Sequence, residues 1–412
     1  MISAQFFSTI NSKIFLDTIK LLTYKLKYLR YWKEWDIFIN NFKKYLNAES
    51  SEIILFYNAR SALFWALRWI KKWDNTKNEI IVPSYTCVSV INAIKQAWFK
   101  PIYADIDKSL NITVETIKKQ YSNNTIAIIV QHTFWNPAQI NEITEFASNH
   151  NLIVIEDCAH SLWASIWQKK VWTFWDIAIF STWRDKVISS VTWWILVINN
   201  DKIKIPHKLI MPKKFLVIQN LIYNIIAYLA YKTYDITLWK ILMYIANKFK
   251  LIPKILTANE KSCNFSIFYY YLPNSLIYLA NKQFKILDKI NSHRIKLAKF
   301  YKEQLNNIFK FPDVEPFYNN IYFWVPIFIE SKEIFDKIVL EWKKQWIYFW
   351  TYWSWQNIVP IWTNLASCWY KLWNCPNAEI LSKQVLILPN HYQITEKQVK
   401  KVVKLLKSIK ND

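Results

Sequence analysis

The stretch AIFSTWRDKVISSVTWWILVIN, Ala178 to Asn199, contains two apolar runs separated by a polar loop. Short apolar runs of this kind are typical of buried strands. The loop carries Ser181 and Lys186, a combination typical of a loop that anchors a cofactor. Trp193 and Trp194 stand where such a loop needs tight turns. The stretch therefore raises two questions: what the lysine does, and why tryptophan occupies turn positions.

Glycine is absent from the 412 residues, whereas tryptophan occurs 24 times. An average protein is about 7% glycine. Trp98 and Trp346 each end a helical pattern and precede a strand, where the backbone usually turns left-handed and glycine is favoured. We therefore predict that most Trp letters stand for glycine, as when UGA codons that mean glycine in the source are translated as tryptophan. The alternative is a genuinely tryptophan-rich protein with aromatic anchors.

Composition narrows the class of protein. Hydrophobic residues make up 53% of the chain, which excludes a disordered protein. The net charge of +23 could attract nucleic acid, an anionic membrane or phosphorylated substrates. Because the lysines are dispersed and no zinc-finger or RNA-binding motif accompanies them, we predict no nucleic-acid partner. Five cysteines without a C-x-x-C pair predict reduced thiols, a cytoplasmic location and no metal centre, and we expect no cleaved signal peptide.

The order of predicted elements indicates an α/β fold. Apolar strands and amphipathic helices alternate after residue 50, as expected for βαβ units around a mostly parallel sheet. A long amphipathic helix is predicted from Leu276 to about Leu305. We predict four parts: an N-terminal helical segment (1–50), a large α/β domain (51–203), a hydrophobic helical insert (204–275), and a long helix with a small C-terminal α/β domain (276–412).

The predicted insert contains a run of 17 uncharged residues, Phe215 to Tyr231. A helix that spans a membrane needs about 20 residues, and Gln219, Asn220 and Asn224 interrupt this run. A buried or subunit-packing helix is the favoured interpretation. The alternative is an interfacial helix, in which the 215–249 region rests on a membrane surface beside its flanking lysines.

Three separated segments end at predicted strand termini, where ligands of parallel sheets bind. The first is NARSAL, Asn58 to Leu63, at a helix N-terminus, which suits a phosphate but also fits a plain N-cap. The second is VIEDCAHSL, Val154 to Leu162, in which a buried strand delivers Asp157 and then His160. A carboxylate there needs a cation or a hydrogen-bond donor. A protonated pyridine nitrogen would satisfy it, and so would a structural hydrogen bond.

The third segment is FSTWRDK, in which Ser181 precedes Lys186 by five residues. An amine beside a strand end and a phosphate-binding hydroxyl can form a Schiff base with an aldehyde cofactor. Most lysines are solvated surface groups, so Lys186 has meaning only in combination with the other two segments.

Together these motifs resemble the DegT/DnrJ/StrS family of sugar-nucleotide aminotransferases, which use pyridoxal phosphate on the fold type I scaffold of aspartate aminotransferase. The resemblance is strongest from Ile53 to Asn199 and resumes near the C-terminus. It is carried by ARSALFWALR, EIIVPSYTC, HTFWNPAQI, IEDCAHSLWA, VWTFWDIAIFSTWRDK, TWWILVIN and CPNAEILSKQVLILPNHYQITEKQVKKVVKLL. The family carries glycine at the positions of Trp163, Trp172, Trp175, Trp193 and Trp194.

The resemblance implies a role for each matching residue. Lys186 would bind the cofactor aldehyde and move protons, and Asp157 would hold the pyridinium nitrogen. Ser181 and the backbone amides of Arg60 and Ser61 would hold the phosphate. His160 would lie beside the cofactor 3-hydroxyl, and Cys87 occupies the position of an aromatic ring that often stacks on the cofactor.

Two departures from the family pattern affect these assignments. With Cys87 in the stacking position, stacking is weaker or comes from a neighbour such as Tyr85. The family's Asn-x-Arg contribution from a partner subunit is not recognisable in FYYYLPNSL, Phe268 to Leu276. The substrate is therefore less well defined than the cofactor.

The resemblance implies a cytoplasmic homodimer that transfers an amino group from glutamate to a nucleotide-linked keto sugar. Two alternatives differ in what they require. Sugar dehydration or deoxygenation on the same scaffold is carried out by family members that lack the lysine. A non-catalytic regulatory or membrane-surface homologue would not need Lys186, Asp157 and Ser181. Because all three residues are present, transamination is favoured.

Overall fold

The computed structural model describes residues 2–3, 9–23, 34–57, 59–162, 164–166, 169–170, 176–192, 194–200, 203, 209–254, 256–264, 270–316, 318–348 and 352–411. The strands within these ranges are β1 (Ile2–Ser3), β2 (Glu52–Phe56), β3 (Glu79–Pro83), β4 (Thr86–Cys87), β5 (Lys100–Ala104), β6 (Thr125–Gln131), β7 (Ile153–Asp157), β8 (Ser165–Ile166), β9 (Lys169–Lys170), β10 (Ile177–Ser181), β11 (Trp194–Ile198), β12 (Tyr318–Asn319), β13 (Val325–Phe328), β14 (Ile347–Tyr348), β15 (Ile358–Val359) and β16 (Val385–Leu388). The helices are α1 (Ser12–Thr23), α2 (Glu34–Leu46), α3 (Ala59–Trp73), α4 (Val88–Gln96), α5 (Val114–Lys118), α6 (Ile140–Asn149), α7 (Lys214–Lys232), α8 (Leu238–Lys248), α9 (Ala258–Lys261), α10 (Asn274–Phe284), α11 (Leu287–Leu305), α12 (Lys332–Lys344), α13 (Pro376–Gln384) and α14 (Glu396–Asn411).

The central sheet has seven strands in the order β2-β11-β10-β7-β6-β3-β5. Neighbouring strands from β10 to β5 are all parallel, and β11 is antiparallel to both β10 and β2. Every residue of β3, β6, β7, β10 and β11 is buried, which explains why these strands are apolar without alternation. The predicted mostly parallel α/β sheet is confirmed.

Within the described ranges, buried side chains form three clusters. The largest surrounds the central sheet. A second lies between α11, α12, α14 and the β13–β16 pair. A third joins α7 and α8 to Ile10 and Val191. The largest cluster contains residues from all four predicted parts, so the clusters do not divide the chain in the same way, and the four parts stay a prediction.

Two local predictions are wrong. The helical N-terminal segment also contains a strand, since β1 pairs with β14 and buries Ile2 in the second cluster. The long helix predicted from Leu276 to Leu305 is two helices, because Ile286 leaves the helical conformation at φ −117° and ψ 16°. The break lets α10 pack against α1, α2 and α7 while α11 packs against α14.

The predicted insert forms α7, α8 and the short α9. Helix α7 packs against α1, α8 and α10, and buries Val217, Leu221 and Ala227. By length and composition alone it could cross a membrane, but 39% of its most apolar stretch is buried in the protein. One face of α7 is therefore apolar because it packs inside the protein, which is the interpretation that the sequence favours.

Tryptophan is concentrated at left-handed backbone positions. Of the 16 non-glycine residues with positive φ among the described ranges, seven are tryptophans: Trp98, Trp135, Trp346, Trp355, Trp362, Trp369 and Trp373. Trp98 follows α4 at φ 65°, and Trp346 follows α12 at φ 58°, as expected from the sequence. A left-handed conformation costs an ordinary L-residue about 1–2 kcal/mol. These positions therefore have the backbone geometry that favours glycine.

Candidate active site

A cavity at the carboxyl edge of the parallel strands contains six of the seven predicted site residues. Its lining includes Arg60, Cys87, Asp157, His160, Ser181 and Lys186. Asp157 ends β7 and Ser181 ends β10, while Cys87 ends β4. The strand-end rule explains this convergence, since parallel strands deliver their last residues to one edge. Ser61 is fully buried in the first turn of α3 and does not line the cavity.

The loop that carries Lys186 connects two adjacent antiparallel strands, β10 and β11. A turn in which the Lys186 amide donates to the Trp183 carbonyl at 2.9 Å places the lysine. The buried amide of Gln283 holds the far side of the loop, accepting from the Ser189 amide at 2.8 Å and donating to the Ser189 carbonyl at 2.5 Å. The lysine is therefore positioned from both ends of its loop and from α10.

The Lys186 amine is buried close to two aromatic rings. Its Nζ is 5.5 Å from the ring centroid of Trp324 and 5.8 Å from that of Phe323. Burial lowers the pKa of Lys186 below its ordinary value, and the negative charge of Asp185 opposes that effect. A lysine with a lowered pKa has a larger fraction of neutral amine at physiological pH, which is the form that attacks a carbonyl carbon.

Asp157 is a buried carboxylate whose negative charge is only partly balanced by its surroundings. Its Oδ1 accepts a hydrogen bond from the Ala159 amide at 3.0 Å. Burial nevertheless raises its pKa to about 6, although the Ala159 amide and the Lys186 charge act in the opposite direction. A cation placed against this carboxylate would lower its free energy. The pyridinium nitrogen expected from the sequence is such a cation.

His160 has a defined hydrogen-bonding state. Burial and the nearby Lys186 charge lower its pKa well below the ordinary value, so the ring is neutral. Its Nδ1 accepts from the Phe134 amide at 3.3 Å, and its ring stacks on that of Phe134. The proton is therefore on Nε2, which makes His160 a hydrogen-bond donor.

The predicted phosphate end of the site is built by Ser181 and α3. The Trp183 amide donates to the Ser181 hydroxyl oxygen at 3.3 Å. The side chain of Arg60 forms an ion pair with Glu260 of α9, and burial lowers its pKa to about 10. Arg60 and Ser61 lie in the first turn of α3, at the helix N-terminus, whereas Asn58 lies outside the described residues.

Several lining residues were not predicted. Gln131 ends β6 and could have been found by the same strand-end rule that found Asp157. The other walls come from distant segments that carry no local signal: Leu256, Tyr352, Trp353, Val359 and Pro360. Tyr85, suggested as a stacking group, is fully buried; its hydroxyl donates to the Trp353 carbonyl, and it lies outside the described lining.

Behind Asp157 lies a buried trio of His132, Glu156 and Cys158, whose candidate ligand atoms are within 4.8 Å of one another. The Ala138 amide donates to Nδ1 of His132 at 3.0 Å, which leaves the proton on Nε2. That nitrogen is 2.8 Å from Glu156 Oε1 and donates to it. These hydrogen bonds join His132 to Glu156 at the end of β7.

The donor set matches pyridoxal phosphate in three places: an amine for the aldehyde, a carboxylate for the ring nitrogen, and a hydroxyl beside a helix N-terminus for the phosphate. The enclosed volume is about 120 Å³, below the roughly 300–1,000 Å³ of most small-molecule sites. Three indoles, those of Trp183, Trp194 and Trp353, narrow it. The donor set of the site fits the cofactor, and the three indoles are the bulkiest side chains of its lining.

The profile of the DegT/DnrJ/EryC1/StrS aminotransferase family matches residues 22–210 and 270–407. The chain is 34% identical over 125 residues to GDP-perosamine synthase of Vibrio cholerae, an alignment that covers 30% of this chain and 34% of the relative. It thus spans about a third of the length of the curated relatives that it matches at this level. An uncharacterised Methanocaldococcus jannaschii protein is 25% identical over 343 residues, covering 81% of this chain and 80% of the relative.

Among solved structures, the fold is similar to that of Helicobacter pylori PseC, an aminotransferase involved in the biosynthesis of pseudoaminic acid. The superposition has a TM-score of 0.73 at 17% identity and covers 99% of both chains. The fold class predicted from the sequence, fold type I of the pyridoxal phosphate transferases, is confirmed.

Proposed function

The chain belongs to the DegT/DnrJ/EryC1/StrS aminotransferase family, and on that basis we propose that it transfers an amino group from glutamate to a nucleotide-linked keto sugar in amino-sugar biosynthesis. The observation that carries this proposal is the convergence of Lys186, Asp157 and Ser181 on one cavity. The sugar substrate is supported by the relatives that are named GDP-perosamine synthase.

Each residue in the cavity has a distinct task. Pyridoxal phosphate, when bound, supplies an electron sink for negative charge at the substrate carbon that bears the nitrogen. Lys186 Nζ would take the proton from that carbon of glutamate and, in the second half of the reaction, would give a proton to the sugar carbon that becomes the amine. Asp157 keeps a proton on the ring nitrogen by pairing with it. His160 donates from Nε2 to an oxygen in the cavity, and the N-terminus of α3 with Ser181 orients the phosphate.

The proposed function is tested with purified protein, pyridoxal phosphate, glutamate and a panel of nucleotide-linked keto sugars. Transamination produces 2-oxoglutarate and an amino sugar in equal amounts, and both are measured by mass spectrometry. Loss of a sugar hydroxyl without amine incorporation would favour the dehydratase alternative. Turnover of neither kind across the panel, from protein that binds the cofactor, would contradict the proposal.

We also propose that glycine replaces tryptophan at many positions of the functional protein. The left-handed backbone at seven tryptophans supports this, as does the high exposure of several of their rings, for example 79% for Trp373 and 76% for Trp362. A second support is that the indoles of Trp183, Trp194 and Trp353 occupy space in the cavity, which glycine at these positions would leave open. The family glycine positions Trp163, Trp172, Trp175 and Trp193 lie outside the described residues.

Trp373→Gly should stabilise the chain by about 1 kcal/mol, because glycine relieves the left-handed backbone at φ 72°. The matched control Trp342→Gly lies in the interior of α12 with a fully buried ring. It should destabilise by at least about 3 kcal/mol. Urea unfolding measures both. Peptide mass spectrometry of the protein from its source tests the coding directly, and indole masses at Trp98 and Trp346 would contradict the glycine proposal.

We propose that the enzyme is cytoplasmic and homodimeric, and that it rests against the inner face of a membrane. The dimer is supported by the family resemblance. The membrane contact is supported by the apolar face of α8, defined here as Leu238, Ile241, Tyr244 and Ile245, whose side chains are 40–65% exposed. Lys240 and Lys248 flank it. An exposed apolar row beside lysines matches the interface of an anionic bilayer.

On flotation, the full-length protein should rise with vesicles that contain phosphatidylglycerol and stay at the bottom with pure phosphatidylcholine. Each lysine near an anionic surface adds about 1 kcal/mol. Ile241→Asp combined with Ile245→Asp should abolish flotation, whereas Leu340→Asp, at an exposed apolar residue of α12, should not. Protein that stays at the bottom at low salt would leave α8 as a packing surface for a second copy.

A further inference from the structure

Two cysteines from distant parts of the chain meet beside the active-site cavity. The Sγ atoms of Cys263 and Cys368 are 3.0 Å apart. Cys263 follows α9 at the end of the insert, and Cys368 is 105 residues further along. A disulfide bond is about 2.05 Å long, so the sulfurs need approach by only about 1 Å to bond.

The segments that carry these cysteines form two walls of the cavity. The insert wall, residues 256–264, contributes Leu256 to the lining and holds Arg60 through Glu260. The C-terminal wall, residues 352–368, contributes Tyr352, Trp353, Val359 and Pro360. The walls already touch, since the Asn364 amide donates to the Lys261 carbonyl at 3.0 Å.

The two thiols differ in accessibility and acidity. Cys263 is partly exposed and Cys368 is fully buried. A hydrogen bond from the Cys368 thiol lowers the pKa of Cys263. Burial opposes this effect, and the Lys95 charge adds a smaller lowering. The same pairing raises the pKa of Cys368. An accessible cysteine of lowered pKa beside a second thiol is the arrangement found in redox-sensing pairs.

We propose that Cys263 and Cys368 form a reversible disulfide that clamps the insert wall to the C-terminal wall. The Cys263 thiolate attacks one sulfur of a small-molecule disulfide such as glutathione disulfide, breaks its S–S bond and releases one glutathione thiolate. Cys368 loses its proton, attacks Cys263 Sγ and displaces the second glutathione. Two cysteine thiols are oxidised, one disulfide is reduced to two thiols, and the two protons end on glutathione.

The test equilibrates the full-length chain with mixtures of glutathione and its disulfide and maps the quenched protein without reduction. When the quenched protein is unfolded, two of the five cysteines should no longer react with maleimide, and one cross-linked peptide pair should contain positions 263 and 368. Hydrogen exchange across α9 should slow by about tenfold or more on oxidation, because the clamp suppresses local opening. Dithiothreitol should reverse both changes.

Cys263→Ser and Cys368→Ser should each abolish the cross-link and the exchange change, and Cys368→Ala serves as a second variant if the serine disturbs folding. Cys375→Ser is the matched control, since this thiol is fully buried and burial raises its pKa to about 12. It should leave the cross-link intact. Five reactive thiols after oxidation, or a cross-link between other positions, would overturn the proposal. Neither readout depends on transaminase activity.

Discussion

Lys186→Ala will remove the covalent attachment of pyridoxal phosphate and lower transamination by roughly four to six orders of magnitude. Lys186 lies in the cavity beside Asp157, and its lowered pKa favours the neutral amine needed for attack on the aldehyde. The alanine side chain has no amine to bind the aldehyde and no base to transfer a proton to and from the substrate carbon. Absorbance of the bound cofactor and single-turnover rates measure the two effects.

Reductive trapping identifies the lysine directly. Borohydride treatment of the wild-type enzyme should add the reduced cofactor to the peptide that contains Lys186. Lys186→Arg should retain the positive charge and the fold while losing the adduct. Lys254→Ala, an exposed lysine outside the described lining of this cavity, should keep both adduct and activity. An adduct on any other lysine would refute the assignment.

Asp157→Ala should cost about a thousandfold or more in rate, equivalent to at least roughly 4 kcal/mol of transition-state stabilisation. The carboxylate is 3% exposed, so the pair that it forms with a ring cation is shielded from water. Removing one partner leaves the other uncompensated. Asp157→Asn, which keeps the shape, should lose most of the same activity. A change of less than about tenfold would show that another group supports the ring nitrogen.

The same residue predicts a pH effect on the protein without cofactor. In the folded chain the pKa of Asp157 is raised to about 6 from its ordinary 3.8, so the ionised form is disfavoured by folding. The free energy of unfolding should therefore fall as pH rises through this interval, by about 3 kcal/mol relative to Asp157→Asn. Urea unfolding of both proteins between pH 4 and 7 measures it. Bound cofactor should remove the effect by supplying the cation.

The sequence was most informative where a residue ends a buried strand. Asp157 and Ser181 could be placed because parallel strands deliver their ends to one edge, and Lys186 because it lies on the connection between two such strands. Gln131 obeys the same rule and was overlooked. The break at Ile286 could not be read from local periodicity, since it reflects the different packing partners of α10 and α11.

The cavity walls were unpredictable for a related reason. Leu256 and Trp353 reach the site only through tertiary packing of the insert and the C-terminal segment, and neither stretch has a motif of its own. The Arg60–Glu260 pair likewise joins residues 200 positions apart. Long-range contacts of this kind depend on how helices and strands pack together. No short stretch of a single sequence determines that packing.

The placement of these walls has a consequence for how such enzymes can diversify. The side chains assigned to chemistry lie on one continuous stretch from Arg60 to Lys186, whereas residues 256–264 and 352–368 shape the cavity around them. A gene can therefore change Leu256 or residues 352–368, which line the cavity, without replacing any of the side chains assigned to chemistry. Selection for a new sugar can act on the second half of the chain while the first half keeps the same reaction.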